Sequence, residues 1–300
     1  MDGILAVWKP AGWTSHDVVA KARRLLRTRR IGHAGTLDPD VTGVLPLCIG
    51  RSTRVVEYMQ HQPKSYEAVL QFGIATDTED LSGQVIEDAG PVSLSLECIR
   101  EALASFAGEI EQTPPMYSAV KVNGKRLYEL AREGKVVERK ARKVTIFETV
   151  LLAAELERPY PQITFSVTCS SGTYIRTLCV DLGKALGVPA AMAKLTRTSS
   201  AGLHEQDCLT LDEIELLQEQ GTIGDRLLPA DRALAHMPAF TVDSSSGDRL
   251  LQGQKVKLDV LLPVALEHGL CRLYNESGLF LGIFQTIPED GIVKPVKVFS

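Results

Sequence analysis

The sequence predicts an α+β protein, a mixed catalytic-sized region followed by a small β domain. Three observations carry this. Segments 64–72 and 162–169 alternate apolar and polar residues with the two-residue period of half-buried strands. Segments 14–26, 95–108 and 174–186 place apolar residues three and four apart, as an amphipathic helix does. After about residue 238 the texture changes to short strand-like pieces broken by glycine and proline.

Taken in order, GILAVW (3–8) reads as a short buried strand ending at Lys9-Pro10. Thr14 and Asp17 are spaced as a capping box, and Val18, Val19, Ala22, Leu25 and Leu26 form one apolar helical face. Arg23, Arg24, Arg27 and Arg30 project largely on the other side. Within IGHAGTLDPDV (31–41), residues 32–40 read as loop. From Lys64, Tyr66, Ala68, Leu70 and Phe72 share one strand phase, with Glu67 and Gln71 on the other. Residues 73–83 are turn-rich. The helix over 95–108 rests on Leu96, Ile99, Leu103 and Phe106, with Gly108 near its end. Asn123-Gly124 is a hairpin turn signal. QITFSVTC (162–169) alternates as a strand, Ser170-Ser171-Gly172-Thr173 turns the chain, and 174–186 is helical. Thr210 with Glu213 predicts a second capping box. The tail pieces KVKLDVLL, GLCRLYN, GLFLGIF and GIVKPVKVFS make an all-β module of about 60 residues.

The chain of 300 residues has room for one large core or two domains. Apolar runs such as VLLPVAL stop well short of the ~18–20 residues of a membrane span. An acid at position two, with no basic leader before an apolar run, leads us to expect no secretory signal. Six cysteines, no two within three residues of each other, fit reduced thiols in the cytoplasm and argue against a zinc knuckle or a CxxC site. The net charge of −4 alone argues mildly against nucleic acid. Its distribution reverses that argument. KARRLLRTRR (21–30) holds six bases and no acid, and 114–143 holds nine bases against three glutamates. Such stretches suit a phosphate backbone, or else they are solvated faces.

Common nucleotide, metal and serine-hydrolase motifs are absent from the sequence, and the six histidines are dispersed. What remains is Asp38, fixed in extended geometry by Pro39, in a loop that Gly32 and Gly35 let turn sharply. A carboxylate held this way can be a nucleophile or general base, or can simply organise its turn. Arg176, in the first turn of a helix after Ser170-Ser171-Gly172, is the best placed cation to orient it at a surface cleft.

The run GHAGTLDPDVTGVLPLCIGRSTR (Gly32 to Arg54) closely resembles the catalytic segment of TruB-type tRNA pseudouridine synthases. Five further stretches agree in order: KPAGWTSHD, KSYEAVLQFGIATDTEDLSG, TPPMYSAVKVNGKRLYELAREG, CSSGTYIRTLCVDLG and KLTRTSSAG. Together they span residues 3 to about 235, and their joint occurrence is far more specific than any one loop.

The resemblance implies a mixed, antiparallel-sheet catalytic domain over 1–238 and a PUA-like β domain over 239–300. It implies isomerisation of uridine to pseudouridine at position 55 in the tRNA T-loop, by base flipping, without cofactor or metal, in a monomer. Asp38 matches the catalytic aspartate and Arg176 the arginine paired with it. Tyr66 matches the tyrosine that stacks on the base and later helps remove a proton. His33 matches a histidine that helps the base leave its stack. Lys64 and Leu195 match pocket-lining residues, and Lys9 of the first motif joins the substrate-binding set. The stretch 114–143 matches an RNA-gripping insertion that orders on tRNA binding. Two other functions compete, a tRNA-folding aid and a hydrolytic glycosidase. Asp38 and Asp40, two apart around a proline, are poorly spaced for the second.

Overall fold

The computed structural model describes residues 1–122, 124–263 and 267–299. The chain opens with strand β1 (Gly3–Lys9) and helix α1 (Ser15–Leu25). The expected capping box is present: the Thr14 side chain accepts from the Asp17 amide, and the Thr14 amide donates to Asp17. Arg23, Arg24, Arg27 and Arg30 are exposed, but α1 stops at Leu25, and Arg27 reverses the chain at φ 48°. Short strand β2 (Ile31–His33) then pairs antiparallel with β3 (Thr42–Ile49). The loop expected over 32–40 is therefore shorter at its start, because Gly32 and His33 bond to Cys48 and Leu47.

Helix α2 (Val56–Gln60) leads to β4 (Lys64–Phe72), which buries alternate side chains as its sequence period requires. A small ribbon follows, β5 (Ile74–Thr76) with β6 (Val85–Asp88). Helix α3 (Leu96–Ser105) ends three residues before the expected Gly108, which instead begins β7 (Gly108–Gln112) with φ 97°. Strands β8 (Lys121–Val122) and β9 (Lys125–Arg126) pair with each other and precede helix α4 (Leu127–Arg132). Asn123 of the expected Asn123-Gly124 turn lies outside the described residues. Long strand β10 (Arg142–Glu155) and β11 (Gln162–Cys169) lead to α5 (Ile175–Ala185), β12 (Ala190–Ser200), β13 (Leu203–His204) and α6 (Leu211–Glu219), the last on the Thr210–Glu213 capping box.

These strands build one mixed nine-stranded sheet in the order β1-β3-β12-β4-β11-β10-β7, with β2 beside β3 and β13 beside β12. Every pairing in it is antiparallel except β12 on β3. That parallel contact spans only Thr196 against Thr42 and Arg197 against Gly43, and it joins the two halves of the sheet. The main core lies between the sheet and helices α3 and α5, from Leu70, Phe72 and Phe165 to Leu178 and Leu182.

The remaining chain forms a five-stranded sheet from β14 (Ala239–Val242), helix α7 (Ser244–Leu251), β15 (Val256–Lys257), β16 (Gly269–Asn275), β17 (Phe280–Ile287) and β18 (Ile292–Val298), ordered β14-β16-β17-β18-β15. The module is not all β. The Asp243 side chain caps α7 by accepting from the Ser246 amide, and KVKLDVLL gives only a two-residue strand and a helical turn. Phe280, Ile283 and Phe299 pack into the cluster under Ile4, Ala6 and Val44, and Lys297 pairs with Glu57 at 2.9 Å. Among the described residues no helix is long and apolar enough to cross a membrane.

Gly43 marks where the two halves approach most closely. Its φ is 117°, and a Cβ there would sit 2.2 Å from the Arg197 carbonyl oxygen. Both the backbone conformation and the space demand glycine. We therefore expect Gly43→Ala to cost more than about 2 kcal/mol of stability, because β12 must move off β3. Urea unfolding of the two proteins checks it, and equal midpoints would mean that the junction is plastic.

Candidate active site

The connection between β2 and β3, residues 34–41, is anchored almost residue by residue. The Ala34 amide donates to the Pro46 carbonyl at 3.0 Å. The Leu37 amide donates to Ser15 Oγ at 2.9 Å, and that hydroxyl contacts the Leu37 carbonyl at 3.3 Å. The Pro39 carbonyl accepts from the Gly12 amide at 3.0 Å and from Lys9 Nζ at 2.8 Å. Leu37 and Val41 are buried in the main core. Asp38 stands between these two apolar anchors with its side chain 51% exposed. A short segment tied at so many points has little freedom, so the carboxylate projects from a fixed base.

Arg176 meets it from the first turn of α5. Nη2 lies 3.1 Å from Asp38 Oδ2, and Nη1 lies 3.8 Å from Asp80 Oδ2. The guanidinium also donates to the carbonyls of Thr78 (2.9 Å) and Tyr117 (2.8 Å). Its side chain is only 7% exposed, so it approaches the cleft from within the protein rather than from its surface. One arginine thereby ties together Asp38, the turn after β5 and the strap that precedes β8. A guanidinium with several fixed acceptors is a rigid orienting group.

The two side chains border a cavity of about 400 Å³, a size typical of small-ligand pockets. Leu37, Tyr66, Ile175 and Leu195 give it apolar walls, and Lys64, Ser118 and Arg197 also line it. Tyr66 sits on β4 opposite Arg197 of β12 and Val167 of β11. Burial raises its phenol pKa, and the Arg197 charge works the other way. The ring is thus a neutral aromatic face at pH 7. Leu195 lies two residues before Arg197 on β12, on the same buried face.

The structure therefore brings together Asp38, Tyr66, Arg176, Lys64 and Leu195. It does not bring Lys9 or His33 to the lining. Lys9 is fully buried, and its ammonium donates to the carbonyls of Pro10 (2.9 Å), Trp13 (2.5 Å) and Pro39 (2.8 Å), so it braces the loop from behind. His33 precedes the loop, edge-on to His16 at 5.6 Å. Burial, and next to it His16, lower its pKa, which keeps the ring neutral at pH 7. Arg197 was missed by sequence reasoning. It donates Nε to the Val44 carbonyl (2.8 Å), Nη2 to Gly35 (3.1 Å) and Nη1 to Thr36 (3.5 Å). The available signal was a charged residue in strand phase with Leu195.

The basic stretches divide. Lys21 pairs with Glu215 at 3.0 Å, while Arg24, Arg27 and Arg29 are exposed. In the second stretch Lys125 and Lys135 share Glu133, and Lys143 pairs with Glu109. Arg126 and Arg132 lie over the Tyr128 ring at 5.8 and 5.5 Å. Exposed pairs of this kind are weak and exchange readily for a phosphate.

Comparison with known proteins gives a consistent result. Residues 23–175 match the family model described as TruB family pseudouridylate synthase (N terminal domain). Residues 176–235 match the tRNA pseudouridylate synthase B C-terminal domain, and 238–299 match Pseudouridine synthase II TruB, C-terminal. The chain is 46% identical over 303 residues to the tRNA pseudouridine synthase B of Halalkalibacterium halodurans, covering 100% of this chain and 98% of that one. It is 41% identical to the Bacillus subtilis protein of the same name, covering 99% and 97%. Among solved structures, a chain in a Cbf5-Nop10-Gar1 complex superposes with a TM-score of 0.76 at 25% identity, over 99% of this chain and 83% of that one. A chain of an H/ACA RNP bound to a substrate RNA containing 2'-deoxyuridine shares the fold at the same TM-score and 23% identity, over 99% and 85%.

The Lys64 ammonium lies in the pocket wall, donating to the carbonyls of Gln60 and Gln62, both at 2.9 Å. Burial, then the Arg197 charge, bring its pKa from 10.5 to about 8. Below about pH 8 both folded and unfolded chains carry the proton, and the cost of burying the charge is constant. Between about 8 and 10.5 the unfolded chain binds more protons, so this group makes stability rise with pH. The wild-type protein is expected to gain on Lys64→Met across that window, at up to about 1.4 kcal/mol per pH unit, and not below pH 7. Urea unfolding of both proteins from pH 6 to 10 checks it; a pH-independent difference would contradict a buried ammonium.

Proposed function

The chain belongs to the TruB family of pseudouridylate synthases, and from that premise we propose that it converts uridine 55 in the T-loop of tRNA to pseudouridine, with Asp38 as nucleophile. The observation that carries this reading is the 3.1 Å pair of Arg176 with an exposed Asp38 on a firmly anchored loop, at the mouth of a base-sized cavity. tRNA as substrate follows the name that the full-length relatives share.

The target uridine is stacked within a folded loop and must be flipped out to react. Unstacking costs a few kcal/mol, and an aromatic face returns about 1–3 kcal/mol per base. Tyr66 offers that face and Leu195 an apolar wall beside it. His33, neutral and outside the cavity, acts on the base as it leaves the stack rather than on the chemistry. The arginines of 23–30 and the hairpin and helix of 121–132 hold phosphates on either side. Lys9 acts through the loop, and Lys64 through the pocket wall. Arg176 keeps the Asp38 carboxylate aimed at the nucleoside, as either attack on C6 or capture of C1′ requires. The glycosidic bond breaks, the uracil turns, C5 joins C1′, and the C5 hydrogen leaves as a proton, with Tyr66 alongside to assist.

Release of tritium from a tRNA transcript carrying [5-³H]uridine tests the reading. Wild type is expected to release one tritium per tRNA, and Asp38→Asn to be slower by at least about a thousandfold with tRNA binding retained. Equal release from both would remove Asp38 from the reaction. Tight binding without release from either would move the protein to the folding aids, and free uracil would mark a hydrolase.

A further inference from the structure

Four groups able to carry positive charge surround the anchored loop: Lys9, His33, Lys64 and Arg197. Two of them, His33 and Lys9, do not line the cavity. His33 is neutral at pH 7. Lys9 engages three carbonyls behind the loop, and Lys64 two carbonyls of the turn before β4. A fifth group, Arg176, is balanced by Asp38 and Asp80. Lys64 shares the cavity lining and the neutral acceptors, but burial brings its pKa to about 8, whereas Arg197 keeps its charge at any working pH. It is 0% exposed, it lines the cavity, and its three recorded acceptors are neutral carbonyls. Among the described residues no carboxylate pairs with it. A guanidinium keeps its charge at any working pH, and a further group in its hydrogen-bonding reach, the Tyr66 phenol, is neutral, so the full charge remains.

A buried cation without a counter-ion beside a reaction pocket needs a reason, since it would be cheaper paired or absent. The chemistry proposed above supplies one. Attack of Asp38 on C6 would push the C5=C6 π pair onto O4. Departure of the base from C1′ would leave the glycosidic pair on N1 and O2, with the ribose carbon captured by Asp38. On either route the uracil ring becomes negative; the pair is used as C5 bonds to C1′, the bond to Asp38 breaks to free the carboxylate, and the C5 proton leaves. We infer that Arg197, besides clamping Gly35, Thr36 and Val44, is the electrostatic positioning residue of this site, stabilising the anionic uracil between bond breaking and bond making. This rests on the reaction assigned above. A fixed charge, held by three carbonyls and already oriented before reaction, suits such a purpose.

The test compares uridine with 5-fluorouridine at the target position of a T-arm RNA, in single turnover, for wild type, Arg197→Met and Arg197→Lys. The rearranged nucleoside is measured by chromatography and mass after nuclease digestion; from 5-fluorouridine, which has no C5 hydrogen to lose, it is collected as the adduct of water at C6. Fluorine draws charge from the ring and lessens the need for a protein cation. Arg197→Met is expected to be slower on uridine by at least about a hundredfold, with RNA affinity within about threefold of wild type. Arg197→Lys, which keeps the charge, should recover at least about a tenth of the wild-type rate. The Arg197→Met defect should shrink at least about fivefold on 5-fluorouridine. Equal defects on both RNAs would make the residue a structural clamp only and overturn the inference. Should Arg197→Met not fold, Arg197→Gln, which keeps hydrogen-bond donors without the charge, is read by the same uridine to 5-fluorouridine ratio. A wild type inactive on both RNAs would instead bring down the reaction assignment itself.

Discussion

The attachment of the loop 34–41 to the strand β12 is the interaction on which the rest of this site depends. Arg197 holds the carbonyls of Gly35 and Thr36 from beneath while its own backbone packs against Gly43 at the parallel junction of the sheet. The same strand presents Leu195 to the cavity and lies beside Tyr66. One strand thus fixes the loop, the pocket wall and the aromatic face in a common frame. Displacing it would move all three together, and an error of about 1 Å in such a frame costs a catalyst heavily.

The chemistry of the clamps explains why cations are buried here at all. A loop carries carbonyls that its own short length cannot satisfy, and leaving them dry is costly. Lys9, Lys64 and Arg197 reach carbonyls of the loop and its flanks through long stems, and Lys9 shares the Pro39 carbonyl with the Gly12 amide. Hydrogen bonds from a charged donor contribute roughly 1.5–3 kcal/mol each, against a desolvation cost of several kcal/mol per ion. The balance is fine, and its signature is the fall of both lysines to about pH 8. Arg176 follows the same logic toward the turns at Thr78 and Tyr117, so the walls of the cleft are tied through one guanidinium.

Around this centre the basic segments are held by surface pairs. The segment 113–143 is a strap, a small hairpin and a short helix whose cations pair at the surface with glutamates or lie over Tyr128. Surface pairs are worth little and screen with salt, so they can be traded for phosphates without disturbing the core. Rigid anchoring on the sheet and weaker surface pairs on its connections is a sensible division for a pseudouridine synthase that acts on tRNA.

The sequence by itself determined what depends on short-range periodicity and on motif. The strands read at 3–8, 64–72 and 162–169, the helix after 173, both capping boxes and the approach of Arg176 to Asp38 were legible, since alternation, capping spacing and ordered motifs are local properties. Strands 42–49, 142–155 and 190–200 were not. The first and last are buried on both faces or interrupted in register, and the second has most of its outer half exposed, so none shows a clean period. Helix α7 was hidden by its serines and glycine. Only the tertiary structure decided that Lys9 supports the loop instead of lining the pocket, and that Arg197 lies under it. Both assignments depend on which carbonyls long-range pairing leaves unsatisfied, and that is fixed by how β3, β4 and β12 meet rather than by any neighbouring residue.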